Sequence, residues 1–128
     1  MSVARQYHHQ MVHFLRKTVG YGDDGTELTV GIVPSGSTIL KPMSGVQVST
    51  AFNAATGNVL QVGTDANDNL FMTSGALGTA TFVPLDEAIG GYLVTADTTI
   101  TATVELTGTA ATAGSGEVVI CYIPDTDG

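Results

Sequence analysis

The chain has 128 residues, a formal net charge of −8, one cysteine and no tryptophan. That length supports one domain with a real core, since a chain of this size buries roughly two thirds of the surface its unfolded form exposes. A lone thiol excludes an internal disulfide, no apolar run approaches the ~18 residues of a membrane span, and an acidic body argues against nucleic-acid binding.

The first ten residues, MSVARQYHHQ, have no strand pattern and read as an extended N-terminal arm (1–10). Arg5, His8 and His9 stand where a secretory leader would have its apolar core, so the expectation is a protein made, and soluble, in a cytoplasm. Charge is unevenly spread. Arg5, Arg16, Lys17, Lys41, His8, His9 and His13 all fall in the first 41 residues, while Pro42 to Gly128 holds nine acids and no Lys or Arg. A basic arm on an acidic body implies docking, either on a different acidic surface or on the chain's own body or a neighbouring copy. Arg5, Tyr7, His8, His9, His13, Arg16 and Lys17 are the candidate partner-binding residues.

Residues 11–124 read as a single domain of short strands: Met11–Val19, Glu27–Val33, Thr38–Pro42, Val46–Phe52, Val59–Thr64, Leu70–Thr73, Thr79–Pro84, Tyr92–Ala96, Thr99–Thr107 and Glu117–Ile123. Thr99–Thr107 has the clearest period of two, with Ile100, Ala102, Val104 and Leu106 on one face and Thr99, Thr101, Thr103, Glu105 and Thr107 on the other. Gly20–Gly25 joins the first two strands, and Pro34-Ser35-Gly36 is a tight turn. Ala55–Asn58 and Gly114–Gly116 read as hairpin tips. Leu85–Ile89 hints at one helical turn. The last four residues, Asp125 to Gly128, are a polar tail. Such spacing predicts an all-β fold, an antiparallel β-sandwich. Without tryptophan or a cysteine pair the immunoglobulin marks are missing, so a jelly-roll-like sandwich is the expectation.

Few residues carry chemistry. Asp65, Asn67 and Asn69 have the alternate spacing of the first calcium ligands in an EF-hand loop. Leu70 and Ala76, however, stand where the turning glycine and the bidentate glutamate belong, so a solvated hairpin end is the favoured reading. His9 and His13 lie four apart, a zinc spacing on a helix, but no nearby acid or cysteine completes a site, and an exposed polar arm is favoured. Asp86-Glu87 has no histidine partner in the body. A hydrolase would have to recruit the arm histidines, so an enzyme is not expected, nor a cofactor or metal. Cys121 lies in the apolar run VVICYI and reads as a buried hydrophobe.

The run GIVPSGSTILKPMSGVQVSTAFNAATGNVLQVGTDAND (Gly31 to Asp68) resembles small structural proteins of tailed bacteriophages. The residues that carry the resemblance are Gly31, Pro34, Ser35 and Gly36, then Thr50, Ala51, Phe52, Asn53, Thr56, Asn58, Leu60, Val62, Gly63 and Thr64. Phe14–Val19 is similar to the opening strand of such proteins. The resemblance covers about half the chain and implies a virion structural protein. More narrowly, it implies a head decoration (cement) protein, a β-sandwich homotrimer whose partners are itself and the major capsid protein. It would sit on the outer surface of the head, without nucleic-acid or membrane contact. The alternative is a tail or head-fibre component with the same sandwich that binds the host surface, an expectation weakened by the absence of a tryptophan to stack on a sugar.

Overall fold

The computed structural model describes residues 12–87 and 91–124. The arm 1–10, with Arg5, Tyr7, His8 and His9, lies outside the described residues, as do Met11 and the tail 125–128. Ten strands follow in chain order: β1 (His13–Gly20), β2 (Glu27–Val33), β3 (Thr38–Leu40), β4 (Gly45–Thr50), β5 (Gly57–Thr64), β6 (Met72–Ala76), β7 (Phe82–Pro84), β8 (Gly91–Leu93), β9 (Thr98–Thr107) and β10 (Ser115–Ile123). Two 3₁₀ turns, Tyr21–Asp23 and Lys41–Met43, punctuate them. The expected strand Thr38–Pro42 stops at Leu40 because Pro42 has no N–H to offer the ladder.

The strands form two antiparallel sheets, an all-β sandwich. Sheet A runs β7-β4-β10-β3-β8, with β1 on the other side of β10; sheet B runs β2-β9-β5-β6. Pairing is nested, first strand with last (β1–β10) and second with ninth (β2–β9). One lateral side of the sandwich joins β1 to β2, where the Leu15 side chain packs 2.9 Å from the position of a Cβ on Gly31. The other joins β6 to the segment after β7: Asp86 accepts a hydrogen bond from the Thr73 N–H, Glu87 accepts one from the Thr73 hydroxyl, and the Glu87 N–H donates to the Phe71 carbonyl.

Between the sheets lies the core, which includes Val19, Ile39, Val46, Val48, Leu60, Val62, Met72, Leu77, Ile100, Val104, Val118 and Ile120, all fully or almost fully buried. Period-two strands supply it from both sides. Ile100, Ala102 and Val104 of β9 point inward as their alternation predicts. Their outward partners Thr101 and Thr103 are also buried, which alternation alone does not reveal. Thr101 stands opposite Gly63 of β5, and the tip of the β5–β6 hairpin folds back over that glycine.

Three local expectations are corrected. Ala55–Asn58 and Gly114–Gly116 are not hairpin tips: β4 and β5 lie in different sheets, as do β9 and β10, so each segment ends an inter-sheet crossover and begins the next strand. A glycine-rich turn has the same chemistry in either role, and only tertiary pairing distinguishes them. The third is Leu85–Ile89, whose described part, 85–87, is not helical; residues 88 and 89 lie outside the described residues.

Candidate interaction surface

Register fixes what each sheet presents to the outside. On sheet A, Thr18, Glu117, Gln47 and Phe82 form one outward row across β1, β10, β4 and β7. Arg16, Val119, Gly45 and Pro84 form the next, then Phe14 beside Cys121, and at the far end Ile123, Thr38 and Leu93. Four of these are large apolar side chains left in solvent: Phe14 is 54% exposed, Leu93 62%, Phe82 39% and Ile123 38%. Met43, on the turn after β3, is exposed as well. Single exposed apolar residues are ordinary, but several on one sheet face make that face the candidate interaction surface.

Charge on this face is nearly neutral. Arg16 donates to Glu117 across the strands at 2.9 Å, an exposed pair worth about 0–1 kcal/mol that orients side chains more than it stabilises the fold. Lys17, on the other side of β1 in register with buried Val118, and Lys41, on the turn after β3, make no ion pair among the described residues. Sheet B differs: its outward positions carry Glu27 and Glu105 among threonines, and the loops beside it hold Asp65, Asp68 and Asp97. The molecule is therefore polarised: the outer face of sheet A carries exposed apolar side chains and one ion pair, whereas sheet B and its loops are acidic, with Ile32 exposed at the β2 edge.

Of the candidate partner-binding residues, His13, Arg16 and Lys17 are described. They lie on β1, an edge strand paired with β10 along all eight of its residues. All three are exposed, and the His13 ring sits 5.6 Å, centroid to centroid, from that of Tyr122. Sequence reasoning found this basic edge through its charge. It missed Phe14, Leu93 and Ile123, because an apolar residue in a strand reads as core until the sheet's two faces are known.

The other candidates resolve structurally. The Asp65–Asn69 segment is a hairpin tip, as expected, held by reciprocal Thr64–Asn67 backbone hydrogen bonds of 2.9 and 3.2 Å. Asp65 and Asp97 flank an open notch of about 290 Å³ with Thr64, Ala66, Thr98 and Thr99. Among the described residues no three His, Cys, Asp or Glu side chains converge as a metal site. Cys121 is buried as expected; its N–H donates to the buried Ser44 hydroxyl at 2.9 Å, and the hydroxyl donates to the Leu40 carbonyl at 2.7 Å. Desolvation pushes the thiol above its ordinary value of 9.0.

A pH prediction follows from that burial. Below about pH 9 the thiol is neutral in both folded and unfolded chains. Above it the unfolded chain ionises first, so Cys121 should lower stability by at most about 1.4 kcal/mol per pH unit. Thermal melts from pH 8 to 10 should show a steeper loss for the native chain than for Cys121→Ala. Equal slopes would mean that the thiol ionises as readily folded as unfolded.

The residues of the phage-like motif turn out to build the fold. Phe52 is buried, and Asn53 ties the two crossovers together, accepting from the Thr112 and Ala113 N–H groups at 2.8 and 3.1 Å and donating to the Thr112 hydroxyl at 3.0 Å. Asn58 accepts from the Ala54 N–H and donates to the Ala54 carbonyl. Leu60 and Val62 enter the core, while Gly63 and Thr64 hold the hairpin tip.

No protein-family model matches the chain, and no curated protein matches its sequence. Solved structures do share its fold. A chain in the capsid asymmetric unit of cyanophage Pam1 aligns at a TM-score of 0.66 and 20% identity, over 88% of this chain and 84% of that one. A chain in the acidic stable capsid structure of Helicobacter pylori bacteriophage KHP30 aligns at 0.62 and 15% identity, over 89% and 88% respectively.

Proposed function

We propose, from the fold this chain shares with chains of two phage capsid structures, that it is a capsid-associated structural protein of a tailed bacteriophage. More narrowly, we read it as a decoration (cement) protein that binds the outer shell and stabilises the head. The observation that carries this reading is the extent of the likeness, which spans nearly the whole of each chain. Independently, the Gly31–Asp68 motif resembles proteins of the same class. The nested strand order, first with last and second with ninth, is read as a jelly roll.

The polarised surface supplies a physical division of labour. The outer face of sheet A, with Phe14, Leu93, Ile123 and the basic β1 edge, meets the major capsid protein. The acidic face of sheet B meets solvent, where like charge keeps particles apart. Modest contacts repeated over a lattice give strong overall attachment, and a homotrimer would multiply them again. This reading gives the chain no catalytic residue.

Immunogold labelling of intact particles tests it. Label over the whole head supports decoration. Label confined to the tail or one vertex transfers the chain to a fibre role, and no label on any particle removes it from the virion. A second expected result concerns the arm: without residues 1–10 the sandwich should keep its melting temperature but lose about tenfold or more in attachment to heads. Unfolding of the truncated chain, or undiminished attachment, would show that the arm has a different role.

A further inference from the structure

Lys41 is the last Lys or Arg in the chain; the remaining 87 residues contain neither. It sits on the 3₁₀ turn after β3 and, with Pro42, Pro84 and Leu85, lines an apolar groove of about 480 Å³ at the β7 edge of sheet A. Its ammonium has no ion pair among the described residues. A lone cation beside an apolar groove fits an apolar side chain flanked by carboxylates.

Such a group exists on the other lateral side of the same molecule. Ile32, near the end of β2, is 57% exposed and points outward beside Thr99. Thr99 in turn lines the notch that holds Asp65 and Asp97. Because β2 edges the β1–β2 side and β7 the β6–β7 side, one copy cannot bring its own Ile32 to its own groove. A second copy can. Pairing groove with groove about a two-fold axis would instead bring Lys41 toward Lys41, with no carboxylate between them supplied by the groove's lining.

We propose that the Lys41 groove receives the Ile32 edge of a second copy of this chain, with Lys41 facing the Asp65 and Asp97 carboxylates. The inference rests on the reading of the chain as a repeated building block and names the contact that repeats it. The contact is head-to-tail, so each copy uses its groove and its Ile32 edge at once, and successive copies close into a ring when the rotation per step allows.

Sedimentation velocity of the full chain at increasing concentration, without particles, is the test. Wild type should self-associate. Lys41→Glu and Asp65→Lys should each weaken association by about tenfold or more, and the double variant should recover it, because the ion pair re-forms with its sides exchanged. Ile32→Asp should abolish association while leaving the far-ultraviolet circular dichroism unchanged, since the side chain lies outside the core. A wild type that stays monomeric, single variants that associate normally, or a double variant no better than the singles would each overturn the proposal. Shell attachment does not enter this measurement, so a chain that forms the contact but never labels a head keeps this inference and loses the cement reading.

Discussion

Gly63→Val should be among the most damaging single substitutions, costing about 3 kcal/mol and roughly 10 °C in melting temperature. A Cβ at Gly63 would lie 2.2 Å from the Asn67 carbonyl oxygen, 2.5 Å from the Asp68 carbonyl carbon and 2.8 Å from the Asn69 nitrogen. These are backbone atoms, which cannot step aside as a side-chain end can. The tip must lift from sheet B, breaking the Thr64–Asn67 hydrogen bonds and uncovering Thr101. Gly78→Ala is the matched control, since a Cβ there meets nothing within 4 Å. Urea titrations should separate the two by midpoint at similar slope. If Gly63→Val melts with the control, the hairpin tip does not fold over the sheet. The same physics makes Gly45 intolerant, where a Cβ would lie 2.2 Å from the Val83 carbonyl oxygen and push β7 off β4.

The second large effect is functional. Phe14→Asp combined with Leu93→Asp should leave stability nearly unchanged, because both side chains are more than half exposed. Attachment to heads should nevertheless fall by about thirtyfold or more, the equivalent of losing one anchor worth about 2 kcal/mol. The measurement is occupancy on shells purified without the protein, titrated with native or variant chain. Glu27→Lys, on the outer face of sheet B, serves as the control and should not reduce occupancy. Equal occupancy for the double variant and the native chain would mean that the outer face of sheet A does not meet the shell, and equal loss from the control would remove the distinction between the faces.

These predictions divide by what was legible beforehand. Every expected strand has a counterpart in the fold, because β-branched alternation between Gly, Asn and Pro punctuation is a local signal. Boundaries drifted where local chemistry was ambiguous: Leu70–Thr73 became Met72–Ala76, since the hairpin tip takes residues that alternation assigned to the strand. The basic β1 edge was visible as charge. The exposure of Phe14, Leu93 and Ile123 was not, because an apolar residue in a short strand fits either face of a sheet and the choice depends on register with distant partners.

By itself, then, the chain's pattern of residues determined an all-β domain, its inward alternation in β9, its buried thiol and the confinement of cations to its first third. Each is a property of neighbouring residues or of composition, which needs no partner to be read. The tertiary structure alone decided that Ala55–Asn58 and Gly114–Gly116 end crossings between sheets, that Thr101 lies under a loop, and that most exposed apolar side chains of sheet A and the acidic positions of sheet B fall on opposite faces. Each of those depends on pairing between residues far apart in sequence, such as β1 with β10 and β2 with β9. In a chain of short strands many such pairings are locally equivalent, and only the packing of one shared core selects among them.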